Sequence, residues 1–77
     1  MTGSELRDVI VRHLAKSKGG GTVRWRAAIG ELKVYSLSTH GHCNWDVRPA
    51  GTTYEMAEIE RAVDVLRLAH PFVDVGV

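Results

Sequence analysis

The sequence predicts an α+β domain ordered helix, strand, strand, strand, helix. Three features lead there: a one-sided helical pattern near the N-terminus, alternating runs in the middle, and a second helical pattern closed by Pro71. With 77 residues, 44% hydrophobic and 25% charged, the chain is the size of one small domain, taken as residues 1–77.

The first helix is expected over about residues 4–17. Leu6, Val9, Ile10, His13 and Leu14 share one side, while Arg7, Asp8, Arg12 and Lys16 turn outward. Thr2 with Glu5, or Ser4 alone, caps its start, and Gly19-Gly20-Gly21 ends it.

From Thr22 to Ile29 the period becomes two. Val23, Trp25, Ala27 and Ile29 fall on one face and Arg24 and Arg26 on the other, which predicts a strand. A Gly30-Glu31 turn leads into a second strand over 32–38, and the loop Thr39-His40-Gly41-His42 into a third over 43–48. In this meander Val34 pairs with Val47 and Ser36 with Trp45 on the inner face. The second helix begins at a Thr52/Glu55 capping box and stops before Pro71. Both helices then cover one sheet face and run parallel. The valine-rich tail, 72–77, is either an added strand or a frayed end.

Composition narrows the function classes. No apolar run reaches the roughly 18 residues of a membrane span. No export-signal pattern is present, so a cytoplasmic location is expected. One cysteine, Cys43, excludes an internal disulfide. No glycine-rich phosphate loop precedes either helix, and no cofactor is expected. The formal net charge of +1 averages two unlike halves: residues 1–34 hold seven Lys or Arg against three Asp or Glu, and residues 35–77 three against six.

On the predicted topology, the uncovered sheet face carries Arg24, Arg26, Lys33 and Arg48 around Tyr35. Cations grouped about an aromatic ring suit phosphate contact and base stacking, so a nucleic-acid or protein partner is expected there. A polar face with no partner is the plainer alternative. Tyr54, Val65 and Leu68 lie outside the main apolar stripe of the second helix and point to self-association or a protein partner. His40, His42 and Cys43, with His13 and His70 from the helix ends, meet at one predicted pole. They offer nitrogen and thiolate donors to a borderline metal. The simpler account has helix dipoles stabilising the histidines and Cys43 serving as a small hydrophobe. Cys43 beside His42 names a nucleophile and base, but neighbouring strand residues face opposite ways, so no enzyme is expected.

The order helix, three strands, helix resembles that of a double-stranded RNA-binding domain over most of the chain. That resemblance implies contacts from a longer first strand loop and a basic start to the second helix. Here the loop is Gly30-Glu31 and the helix starts Tyr54-Glu55-Met56-Ala57-Glu58, which repels phosphate. No functional residue of that family carries over, and the expectation is a non-enzymatic binding module.

Overall fold

Thr2 and Glu5 form the expected capping box: the Glu5 N–H donates to the Thr2 hydroxyl, and the Thr2 N–H donates to the Glu5 carboxylate. In a computed structural model that describes residues 1–74, this box starts α1 (Gly3–Lys18), which buries Leu6, Ile10, Val11 and Leu14. The same device at Thr52 and Glu55 starts α3 (Thr53–Ala69), whose last turn closes when the His70 N–H donates to the Leu66 carbonyl ahead of Pro71.

Between them the predicted first strand is a helix, α2 (Gly21–Ile29). The eight residues from Thr22 to Ile29 satisfy two periods at once, because Trp25, Ala28 and Ile29 also stand at the i, i+3, i+4 spacing of a helix face. Those three are buried, whereas Val23, inward on the strand reading, is 83% exposed. The glycine triplet decides the outcome. Gly19, Gly20 and Gly21 all have positive φ, a region side chains disfavour, so the chain turns sharply and begins a new helix. The Trp25 indole N–H then donates to the Gly19 carbonyl at 2.6 Å, satisfying a group beyond the end of α1.

The sheet has two antiparallel strands, β1 (Leu32–Val34) and β2 (Trp45–Val47), in place of the expected three. Leu32 pairs with Val47 and Val34 with Trp45, two residues away from the expected register. A shift of two preserves the faces, so Trp45 and Val47 still point into the core. Asn44 explains the shift. Fully buried, its side chain donates to the Tyr35 and Val73 carbonyls and accepts from the Val73 N–H, which pins the end of the long loop to the chain after α3.

With a helix in place of a strand, the order is helix, helix, strand, strand, helix, and the likeness in order to a double-stranded RNA-binding domain is lost. The alternation that made the outer helices parallel is lost too. Lys18, ending α1, pairs with Glu58 near the start of α3 at 3.1 Å, and Thr2 bridges Asp74 beyond the far end of α3, so the two helices are antiparallel. The Thr2–Asp74 bridge is all the strand pairing of the tail among the described residues; the rest of that expected strand, 75–77, lies outside them.

Candidate functional site

The residues expected on a single basic face are dispersed. Arg24 and Arg26 leave α2 on different sides: Arg24 Nε donates to Glu55 Oε2 of α3 and Arg26 Nη1 to Asp8 Oδ1 of α1, both at 2.6 Å. Arg7 adds a bond from α1 to the Arg26 carbonyl at 3.0 Å. These arginines fasten α2 to the helices beside it. Lys33 on β1 reaches Glu31 at 3.3 Å, while Tyr35 is stacked on the His40 ring with centroids 4.3 Å apart. Arg48 is exposed and forms no ion pair among the described residues.

The carboxylates record this internal pairing. The Glu55 carboxyl is held below its usual range first by the Thr52 N–H and then by Arg24, and that of Asp8 chiefly by Arg26. Glu5 is lowered by the Thr2 backbone and hydroxyl. Because these groups are more acidic in the folded chain, folding releases protons. Their contribution is complete above the ordinary values of 4.5 for Glu and 3.8 for Asp, and is lost as pH falls through the lowered ones. Urea midpoints between about pH 7 and pH 3 are therefore expected to fall on acidification, and Asp8→Asn with Glu55→Gln to flatten that fall. An unchanged acid limb in the double variant contradicts the assignment.

The five candidate metal ligands have separate engagements. His40 Nδ1 lies 2.9 Å from the Thr39 hydroxyl, and the Cys43 thiol donates to the Trp45 carbonyl at 3.4 Å. The His70 carbonyl accepts from the Trp45 indole at 2.7 Å. His42 is exposed in the loop, and His13, on antiparallel α1, lines a groove against the middle of α3. Among the described residues, no group of three or more His, Cys, Asp or Glu is placed to hold a metal ion.

Comparison with protein-family models, with curated proteins and with solved structures finds no match to this chain. No helix among the described residues is long and apolar enough to cross a membrane.

The expected apolar flank of α3 is present. Tyr54, Val65 and Leu68 are 52%, 61% and 87% exposed. Tyr54 leans towards Trp25, its ring centroid 6.4 Å away, and so belongs partly to the α2–α3 seam. Val65 borders the groove between α1 and α3 together with His13, Ser17 and Arg61. Four further exposed charges form no ion pair among the described residues: Arg12 and Lys16 on α1, and Glu60 and Asp64 on α3, where the two carboxylates line the cleft against β2 with Asp46, Pro49 and Arg67. Their signal was the i, i+4 spacing of like charges on each helix, which serves no pairing within that helix.

Proposed function

We propose that the chain is a small non-enzymatic interaction module whose contact surface is the outward face shared by α1 and α3, with a folded protein as its partner. The observation that carries this reading is the exposure of Val65 and Leu68 on neighbouring turns of α3. One exposed leucine is ordinary, but apolar residues continued along a helix and bordered by charge mark a docking surface. Nucleic acid, by contrast, needs a track of free cations. Arg24, Arg26, Lys33 and Arg67 each meet a carboxylate within 3.3 Å, and Lys18 and Arg61 share Glu58, leaving Arg48 just after β2 apart from Arg7, Arg12 and Lys16 on α1. An apolar centre with both signs of charge at its edges suits a protein surface, where the charges select partner and orientation.

A photo-crosslinking residue at position 68, in cells producing the chain, is expected to give a discrete protein adduct, and one at position 33 none. Val65→Asp is expected to reduce the adduct roughly tenfold while changing fold stability by no more than about 0.5 kcal/mol. A nucleic-acid adduct at position 33, or no protein adduct at position 68, overturns the reading.

A further inference from the structure

We infer that the partner presents an acidic amphipathic helix, which lies along the groove between α1 and α3 with its carboxylates over Lys16, Lys18 and Arg61 and its apolar side on Val65 and Leu68. The inference rests on the interaction-module reading and adds the chemistry of the partner.

Three observations combine. First, the groove has the size of a notch for a side chain. His13, Ser17 and Lys18 of α1 and Arg61 and Val65 of α3 border a hollow of about 220 Å³, with buried Leu14 and Ala62 as its apolar floor. Small-molecule sites enclose roughly 300–1,000 Å³, whereas a hollow of this size takes an apolar side chain from a partner. Leu68, one turn beyond Val65 and 87% exposed, extends the apolar strip past the hollow.

Second, the charge beside the notch is positive. Glu58, the carboxylate lining it, is shared by Lys18 at 3.1 Å and Arg61 at 3.3 Å, so two cations answer one anion. Arg61 still keeps 77% of its side chain exposed. Lys16, three residues after His13 and so its neighbour on the helix surface, is exposed and forms no ion pair among the described residues. Glu60 and Asp64 lie away from this edge, in the cleft against β2. Carboxylates of a partner therefore meet cations here, and a basic segment is repelled.

Third, the walls of the groove select a helix. The main chains of α1 and α3 are hydrogen-bonded within themselves, so an extended segment laid between them finds no backbone partners for its own N–H and C=O groups. A helix arrives with those groups satisfied and presents side chains at the i, i+3 and i+4 spacings that Arg61, Val65 and Leu68 also have. Along that row the cation comes first and the apolar residues follow, and Lys18 reaches the charged end. The incoming helix is thus acidic towards Lys18 and apolar towards Leu68.

The test is amide NMR of the isotope-labelled, untagged full chain at low salt, titrated with two synthetic helical peptides of equal length that share a leucine stripe and flank it with Glu in one and Lys in the other. The Glu-flanked peptide is expected to shift His13, Ser17, Arg61 and Val65 saturably, and the Lys-flanked peptide to bind at least about tenfold more weakly. Arg61→Glu is expected to weaken the Glu-flanked peptide by about tenfold. Lys16→Glu, at an exposed residue with no ion pair to break, is expected to weaken it severalfold with the fold unchanged by circular dichroism. A Lys-flanked peptide that binds as tightly, or two variants that bind as the parent does, overturns the inference. So does a Glu-flanked peptide that fails to bind at millimolar concentration, or one that shifts the cleft of α3 against β2 in place of the groove. If the Glu-flanked peptide fails yet position 68 still crosslinks to a protein in cells, the acidic helix is wrong and the module reading stands; if no adduct forms either, both fail.

Discussion

Asn44→Ala is expected to lower the unfolding free energy by about 3 kcal/mol or more, because the truncation strands several buried backbone groups at once. The amide donates to the Tyr35 carbonyl at 3.2 Å and the Val73 carbonyl at 2.9 Å, and accepts from the Val73 N–H at 2.8 Å. Asn44 is 0% and Val73 4% exposed, so water cannot replace these bonds without entering the core. Asn44→Asp keeps the bond to the Val73 N–H but turns a second carboxylate oxygen towards two carbonyls, and at neutral pH is expected to be no more stable than the alanine variant. Urea denaturation measures both. The same lesion should loosen the chain after α3, so amide exchange at Val73 and Asp74 is expected to quicken beyond the global loss. A loss under about 1 kcal/mol would mean that the loop and tail hold their positions without Asn44.

Trp25→Ala is expected to cost about 4 kcal/mol, in the range of large-to-small changes at buried aromatic sites. Trp25 is fully buried and its indole caps the glycine turn at Gly19. Trp25→Phe keeps much of the packing but loses that bond, and about 1–2 kcal/mol is expected. The companion variant Val23→Asp separates helix from strand in this segment. On α2, Val23 points to solvent, and a change within about 0.5 kcal/mol follows. On an inward strand face the same substitution buries a charge and would unfold so small a domain.

This segment also shows where the sequence was ambiguous. Both capping boxes, the ends of α1 and α3, the inward faces of Trp45 and Val47, and the α+β class were legible because each rests on local chemistry or on a pattern that fits one period. Thr22 to Ile29 fits two, and eight residues are too few to separate them. What separates them is distant: the glycine turn that sends the chain back across α1, and partners for Arg24 and Arg26 on helices that the sequence alone does not bring near. The candidate site followed the same division. Tyr54, Val65 and Leu68 were found from helix geometry alone and are exposed as expected. The basic face depended on the first strand and dispersed with it. The metal pole depended on parallel helices and dispersed when α1 and α3 proved antiparallel. Asn44 is the fully buried polar side chain at the end of the loop, yet nothing adjacent in the sequence distinguishes it from a surface asparagine.

On the proposed reading the chain meets its partner through the outward face of α1 and α3, while Arg24 and Arg26 on α2 serve its own fold. Photo-crosslinking residues placed singly at positions 65, 68, 33 and 48 of the intact chain, in cells producing it, separate that face from the residues expected on a basic sheet. Protein adducts are expected from positions 65 and 68 and none from 33 and 48. Adducts confined to 33 and 48, or none from either position on α3, would contradict the reading.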